Sequence, residues 1–361
     1  MQNPTESAAA SPRLRLANML ASVTLVVAGC AFFRFLPVHA SAINRSFGMG
    51  AFTFDGQQFL VVAAMIYILG LMTYYASEPE PAVSKSLRFV KFIAQALSAP
   101  MLTAQTPLSA EQRLAILTSL LKMFFAPLMA MSLMMFTNAA VNNGLALADP
   151  ETWAYGARTV FNQYGFWFLM QLIIFVDVAV FTVGYLVESS RLGNTIRSVD
   201  PTWLGWAAAI MCYPPFNSVT GALLGSHVSD FPKFDDPTAH VVLNAMLLAL
   251  MAAYTWASIA MGWKASNLTY RGMVEHGPYA WVRHPAYTFK NLAWWIGSIP
   301  SVSLAFSHSA WSGLAAVGSV IGWSALYVLR ALTEEDHLRR LGGEYAAYAS
   351  KVRYRFIRGL V

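Results

Sequence analysis

Long apolar stretches constrain this chain more than any other feature of its sequence. A helix needs about 20 consecutive apolar residues to cross the hydrocarbon core of a bilayer. We predict eight such spans, at residues 16–36, 57–76, 115–136, 164–187, 203–225, 241–263, 286–306 and 310–332. Of the 361 residues, 57% are hydrophobic and 12% are charged, which excludes a soluble domain. The sequence therefore predicts an all-α, multi-pass transmembrane helical bundle.

The distribution of lysine and arginine predicts how the bundle is oriented, because positively charged loops stay on the cytoplasmic side. With the N-terminus inside, all but four of the 24 basic residues fall on the inner side; the exceptions are Arg34, Arg45, Arg158 and Lys233. An even number of spans then places both the N- and C-termini in the cytoplasm. We expect the net charge of +6 to face membrane lipids rather than nucleic acid. The membrane would be the bacterial inner (plasma) membrane, or the endoplasmic reticulum in a eukaryote.

Composition divides the chain into three regions. Residues 1–12 are small and polar, and we expect them to be disordered. Residues 13–160 carry three spans, and residues 161–361 carry the other five together with the chemical motifs. Between the second and third spans, residues 84–97 interleave basic with apolar side chains, which predicts a helix in the membrane interface. A basic loop that only fixes the topology is the alternative.

Polar residues inside the spans are few. Asp177 lies near the middle of the fourth span, where a lone charge costs about 2.5 to 3.5 kcal/mol, so either a functional role or a structural hydrogen bond must explain it. Pro214 and Pro215 interrupt the fifth span and predict a kink. The two cysteines, Cys30 and Cys212, lie inside predicted spans, and we expect no disulfide framework and no metal site.

Ionisable residues concentrate where the seventh span begins, in "GPYAWVRHPAYTFKNLAWW" at residues 277–295. Pro285 suits the first turn of a helix, so Arg283 and His284 precede the helix start. A helix N-terminus carries partial positive charge and free N–H groups, which favour a carboxylate or phosphate. The polar and aromatic residues that recur on one face of this helix are Tyr287, Asn291, Trp294 and Ser298.

The eighth span carries a matching face as it leaves the membrane. Aromatic side chains give way to ionic ones at helical spacing, in the order Trp323, Tyr327, Arg330, Glu334 and His337. A helix end whose long side chains reach the headgroups would also explain this pattern. The presence of two such faces in one helical hairpin favours a functional site.

These motifs, "GPYAWVRHPAY" and then "RALTEEDHLRRLGGEYAAYASKV", resemble the isoprenylcysteine carboxyl methyltransferase class of integral membrane methyltransferases, relatives of the phospholipid methyltransferases. The signature of that class is RHPxYxG, a hydrophobic span and then EE, and the likeness covers about residues 270–355. The resemblance implies transfer of a methyl group from S-adenosylmethionine, in a cytosol-facing pocket, to a lipophilic acceptor from the bilayer. The cofactor site would extend over the RHPxY loop at 277–287, the EE motif at 334–335 and the basic tail.

Carried over by position, the resemblance implies two sets of site residues. The cofactor would contact Gly277, Tyr279, His284, Tyr287, Glu334 and Glu335, while Arg283 and Arg330 would hold or orient the acceptor. Further candidates are Asn291, Trp294, Tyr327, His337, His276 and Asp177.

The implied chemistry suits these residue types. A carboxylate such as Glu334 suits the ammonium or ribose of the cofactor, and aromatic rings favour its sulfonium. An acceptor carboxylate, which we favour, needs no general base, and arginines could clamp it. An amine or thiol would need a base, for which His276 or His337 is the candidate.

Two observations keep other interpretations open. Phe289 stands where the signature has glycine, which puts the prenylated-cysteine substrate in question. Membrane sterol and steroid reductases, which use NADPH, share an RHPxY-like segment and a basic tail, although Ala286 stands where they usually carry asparagine. A non-enzymatic binding or transport component, with Asp177 and the broken fifth span along a pathway, is the third interpretation.

Overall fold

The computed structural model describes residues 4–77, 82–99, 107–225 and 227–360. The fold is predominantly helical, and the chain divides into two compact units, Met1–Met135 and Phe136–Val361. Six helices of the described chain are long and apolar enough to cross a membrane: Pro12–Phe35, Gly56–Ser77, Ala110–Ala148, Ala157–Leu186, Pro237–Lys264 and Ala310–Arg340. The predicted all-α architecture is confirmed, and the protein is an integral membrane protein.

The first unit contains helices α1 (Pro4–Phe35), α2 (Gly56–Ser77), α3 (Lys85–Ser98) and the first part of α4 (Ala110–Ala148). An antiparallel hairpin of β1 (Ser46–Met49) and β2 (Phe52–Asp55) precedes α2. Helix α1 packs against both α2 and α3. The Ser84 side chain accepts a hydrogen bond from the Leu87 amide and starts α3, which matches the helix predicted at 84–97.

Helix α1 extends further toward the N-terminus than expected. Its backbone is helical from Pro4, whereas the sequence predicts disorder over residues 1–12, of which residues 1–3 lie outside the described chain. Proline suits the first position of a helix, and the alanines that follow have the highest helix propensity. Local preference thus favours a helix in a segment whose polar composition alone indicates disorder.

The described part of the second unit contains the end of α4, the four-residue helix Ala157–Val160 and seven helices of eight or more residues: α5 (Phe166–Leu186), α6 (Trp203–Ile210), α7 (Phe216–Leu224), α8 (Pro237–Met261), α9 (Pro285–His308), α10 (Ala310–Arg340) and α11 (Gly343–Lys351). A π-helical turn at Phe161–Gly165 leads into α5. Helix α9 packs along both α8 and α10. Two short strands, β3 (Ser198–Val199) and β4 (Thr269–Tyr270), pair antiparallel.

Two of the eight predicted spans are not among the six helices that are long and apolar enough to cross a membrane. The fifth, 203–225, is two short helices, because Pro214 and Pro215 remove backbone donors and cannot continue α6. The Thr220 hydroxyl donates to the Met211 carbonyl at 2.9 Å and so satisfies one acceptor at the break. The seventh corresponds to α9, whose 24 residues are long enough but include Lys290 and several polar side chains.

Candidate active site

The RHPxY loop is held in shape by its own turn and by α8. Residues Gly277–Ala280 form one 3-10 turn, and α9 begins at Pro285 as predicted. Gly277 has a φ of +61°, and a Cβ there would lie 3.2 Å from the Ala260 Cβ. The positive φ therefore favours glycine, and the Ala260 methyl group leaves little room for a side chain. Gly277 shapes the loop but does not line the cavity described below.

Helix α10 brings Glu334 to this loop. The Tyr287 hydroxyl donates to Glu334, and Arg330 Nε lies 3.4 Å from the same carboxylate oxygen. His284 Nδ1 lies 3.9 Å from the other oxygen. The two helix faces singled out in the sequence therefore meet, with the RHPxY tyrosine directly on the first glutamate of the EE pair.

The second glutamate of the pair, Glu335, has a different environment. Its side chain is completely buried and does not line the cavity. Four basic side chains surround its carboxylate: Arg283 Nη1 at 3.0 Å, His284 Nε2 at 3.2 Å, Arg339 Nη2 at 2.7 Å and Arg355 Nε at 3.1 Å. Since a carboxylate only accepts hydrogen bonds, His284 Nε2 carries the proton in this contact. Glu335 thus ties the loop and the C-terminal tail to α10.

The basic tail crosses the loop in an irregular, non-helical conformation. The amides of Arg283 and His284 donate to the carbonyls of Tyr354 at 2.9 Å and Arg355 at 2.8 Å. The Thr288 hydroxyl donates to the Phe356 carbonyl at 3.0 Å. Residues 353–356 therefore hold the RHPxY loop through backbone contacts as well as through the Arg355 side chain.

A cavity of about 200 Å³ opens beside these contacts, entirely within the second unit. Most of the site residues expected from the sequence line it: Tyr279, Arg283, His284, Tyr287, Tyr327, Arg330, Glu334 and His337. His337 is buried, and its Nε2 lies 2.8 Å from the Ser198 hydroxyl.

The remaining candidates lie around the cavity rather than on its wall. Asp177 is buried and accepts hydrogen bonds from the hydroxyls of Tyr254, at 2.8 Å, and Ser258, two residues that do line the cavity. Trp294 packs edge-on against Tyr327, with ring centres 5.1 Å apart.

Two further candidates, Asn291 and His276, do not line the cavity. Asn291 donates to the Tyr287 carbonyl at 2.8 Å, while its buried Oδ1 has no partner in the described chain. His276 is exposed at the start of the 3-10 turn.

One wall of the cavity, the loop at 264–274, could not be predicted from any sequence pattern. Asn267 in this loop accepts a hydrogen bond from Arg330, and its buried Nδ2 has no partner among the described residues. Leu268 adopts a φ of +62°, which is strained for a branched aliphatic residue. The polar segment "KASNLTY" cannot be distinguished, from the sequence alone, from an ordinary loop between two spans.

Arg271 fixes this loop in place. Its two terminal nitrogens donate to the carbonyls of Asn194 at 2.8 Å and Gly184 at 2.7 Å, the latter in the last turn of α5. Burial lowers the pKa of Arg271. A guanidinium that satisfies carbonyls at a helix C-terminus is a common capping arrangement, so this side chain has a structural role.

Aromatic rings surround two of the basic side chains that line the cavity, Arg330 and Lys290. The guanidinium of Arg330, which is buried, lies 5.1 Å from the ring centre of Tyr287, 5.5 Å from that of Tyr213 and 6.0 Å from that of Tyr327. The Lys290 ammonium lies 5.3 Å from the ring centres of Tyr254 and Trp294 and 5.6 Å from that of Tyr327. These distances favour cation–π attraction.

Comparisons with protein-family models, with curated proteins and with solved structures found no match to this chain. Within the part of the chain that the structure describes, no group of three or more histidine, cysteine, aspartate or glutamate side chains is placed to hold a metal ion.

Proposed function

We propose that this protein is an S-adenosylmethionine-dependent methyltransferase that methylates a lipophilic acceptor from the bilayer. One observation carries the proposal: the Glu334 carboxylate, Arg330 and Asn267 form a connected group on the cavity wall. Arg330 contacts both Glu334 and Asn267, and among the described residues the buried Nδ2 of Asn267 has no hydrogen-bond partner. A carboxylate beside a guanidinium and an unused amide donor complements an amino-acid group, with the ammonium on Glu334 and the carboxylate on Asn267 Nδ2 and Arg330.

The rest of the cavity suits the other parts of this cofactor. Tyr213, Tyr287 and Tyr327 present aromatic rings around Arg330, and Tyr279 lines the same cavity. Such rings can stack on a nucleobase and attract a sulfonium. When bound, S-adenosylmethionine supplies an electrophilic methyl group. The protein then has chiefly to align acceptor and methyl group, which can lower a barrier by about 7 to 11 kcal/mol.

The size of the cavity requires some adjustment on binding. Its volume of about 200 Å³ is below the roughly 300–1,000 Å³ of common ligand pockets. Met273, an unbranched side chain on the 264–274 loop, lines the cavity and can change rotamer. We expect the Met273 side chain to change rotamer and enlarge the cavity when the cofactor binds.

Arg283 takes a different role from the one expected by resemblance. Its guanidinium contacts Glu335 at 3.0 Å, the Tyr345 hydroxyl at 2.9 Å and the Arg353 carbonyl at 3.2 Å. These partners occupy both terminal nitrogens. In the proposed function Arg283 positions the loop and the tail, and it does not clamp the acceptor.

We retain eight crossings and cytoplasmic termini as part of the proposal. Helix α9, at about 1.5 Å per residue, is about 36 Å long, which suffices to cross a bilayer. Helices α6 and α7 would together make the fifth crossing, with their break buried against protein rather than lipid. The charge distribution supports a position of the cavity at the cytoplasmic interface, in a bacterial plasma membrane or in the endoplasmic reticulum.

Calorimetric titration of the purified protein with S-adenosylhomocysteine tests the proposal. We expect micromolar binding to the wild type. Glu334→Gln should weaken it about tenfold or more, because a charge-assisted hydrogen bond contributes about 1.5–3 kcal/mol. Asp336→Asn is the matched control, since Asp336 lies on the same helix but is exposed and pairs with Arg340. We expect this variant to bind like the wild type.

A parallel titration with NADPH separates the alternatives. Binding of NADPH without binding of S-adenosylhomocysteine would replace the proposal by a reductase. Binding of neither compound would favour a non-enzymatic membrane component.

A further inference from the structure

Lys290 differs from the other cationic side chains of the cavity. Five lysine and arginine side chains line it, and four of them have hydrogen-bond partners: Lys264, Arg271, Arg283 and Arg330. Within the described ranges, Lys290 has neither a hydrogen bond nor an ion pair; its recorded contacts are with three aromatic rings. Its ammonium group therefore keeps three N–H donors for a ligand.

The aromatic rings fix the position of this ammonium without using its donors. Tyr254 comes from α8, Trp294 from the next turn of α9, and Tyr327 from α10. The π faces attract the charge but do not replace oxygen acceptors. Burying a charged lysine within a membrane-spanning helix costs free energy, and residues of this kind usually have a function.

Asp177 compensates the charge of Lys290 from behind Tyr254. The Tyr254 hydroxyl donates to Asp177 at 2.8 Å, while the ring of the same tyrosine lies 5.3 Å from the Lys290 ammonium. The Ser258 hydroxyl also donates to Asp177. The carboxylate is thus satisfied by two hydroxyls and lies near Lys290 without contacting it. This arrangement stabilises a charged lysine and leaves its N–H groups free.

Lys290 also lies next to the proposed cofactor position. The ring of Tyr327 is shared by Lys290, at 5.6 Å, and by Arg330, at 6.0 Å. Arg330 is engaged with Glu334 and Asn267, and Arg283 with Glu335. Neither arginine that could have held the acceptor is therefore as available as Lys290.

We propose that Lys290 binds the anionic head group, a carboxylate or phosphate, of the lipophilic acceptor and so determines which lipids are methylated. The proposal rests on the methyltransferase function proposed above. One acceptor oxygen forms the bond to the methyl carbon while the bond from that carbon to sulfur breaks, and the electron pair stays on sulfur. No proton has to move. A methylated carboxylate is neutral, so the product loses its attraction to Lys290 and can leave.

Binding of lipids that differ only in their head group tests this role. The protein would be placed in phosphatidylcholine nanodiscs at mildly alkaline pH with saturating S-adenosylhomocysteine. Radiolabelled dodecanoate would be titrated, with dodecyl phosphate and dodecanol as competitors. We expect the wild type to prefer at least one anionic lipid over dodecanol by about tenfold or more. The tighter of the two anions identifies the head group.

Three variants decide the role of Lys290. Lys290→Met should remove the preference for the anionic lipid, and Lys290→Arg should restore most of it. Lys264→Met is the matched control, because Lys264 lines the same cavity but donates to the Met273 carbonyl; it should keep the preference. An unchanged preference in Lys290→Met would overturn the proposal.

Affinity for S-adenosylhomocysteine separates this proposal from the one on which it rests. Lys290→Met should bind S-adenosylhomocysteine like the wild type, which also shows that the variant is folded. In a different outcome, the wild type binds no S-adenosylhomocysteine and still shows a Lys290-dependent preference for anions when the lipids are titrated alone. That result would support the anion-binding site and refute the methyltransferase function. If it binds S-adenosylhomocysteine and Lys290→Met keeps the preference, only the assignment of Lys290 falls.

Discussion

Replacing Glu335, which does not itself line the cavity, by glutamine should strongly destabilise the protein. The Glu335 side chain is 0% exposed and Arg283 is 9% exposed, so this ion pair is buried. Removing one partner of a buried pair costs about 3–5 kcal/mol, because the other charge is left uncompensated. Arg339 is 49% exposed and adds at most about 1 kcal/mol. We therefore expect a loss of about 3–5 kcal/mol in the free energy of unfolding.

Heating the purified protein in detergent and following tryptophan fluorescence measures this loss. A change of 1 kcal/mol shifts the midpoint by about 2–4 °C in a unit of this size, so Glu335→Gln should unfold about 6–20 °C below the wild type. Unfolding of a membrane protein is often irreversible, so all variants would be heated at one rate.

Asp336→Asn provides the matched control for this experiment. The neighbouring carboxylate pairs with Arg340 at the same i to i+4 spacing, but both side chains are more than half exposed. An exposed pair contributes about 0–1 kcal/mol, so this variant should unfold close to the wild type. Equal unfolding midpoints for Glu335→Gln and Asp336→Asn would refute the conclusion that the buried ion pairs of Glu335 stabilise the protein.

Two further predictions concern packing and pH. Gly184→Ala should lower the unfolding midpoint, because a Cβ there would lie 1.9 Å from the Ala265 carbonyl oxygen, whereas Gly70→Ala, with nothing within 4 Å, should be neutral or stabilising by about 0.5–1 kcal/mol. A lower midpoint for Gly70→Ala alone would contradict this reasoning. Burial raises the pKa of Tyr345 from 10.0 to about 12. The folded state therefore holds this proton more tightly, and stability present below pH 10 should be lost as the pH rises from 10 toward 12. Midpoints measured across this range should fall less steeply in Tyr345→Phe, and parallel curves would exclude the effect.

Apolar length and helical spacing were sufficient to predict most of the fold. The span predicted at 57–76 is helix Gly56–Ser77, and the two polar faces at Tyr287 and Glu334 do meet. Both predictions depend on local physics, namely hydropathy over about 20 residues and the 3.6-residue period of the helix. The fifth predicted span is not one helix because two adjacent prolines outweigh its hydropathy.

The two glutamates of the EE pair have separate roles that the motif alone does not distinguish. Neighbouring residues on a helix point about 100° apart, so Glu334 and Glu335 face different directions. In the structure one faces the cavity and the other faces the tail. Helical geometry alone could have separated these two roles.

Asn267 could not have been found from the sequence. It reaches the site through a loop whose position depends on a two-residue strand pairing with Ser198–Val199 and on Arg271 at the end of α5. Each contact joins segments far apart in the chain, and no local pattern encodes them. The role proposed for Lys290 could not be predicted from the sequence either, because it depends on aromatic rings from three helices.

The tail that crosses the RHPxY loop also determines the order in which the site is built. A nascent chain leaves the ribosome from its N-terminus at about 5–20 residues per second. Residues 353–356, whose carbonyls receive the amides of Arg283 and His284, emerge after both helices of the hairpin have been made. The cavity can therefore be completed only after α9 and α10 have both been synthesised.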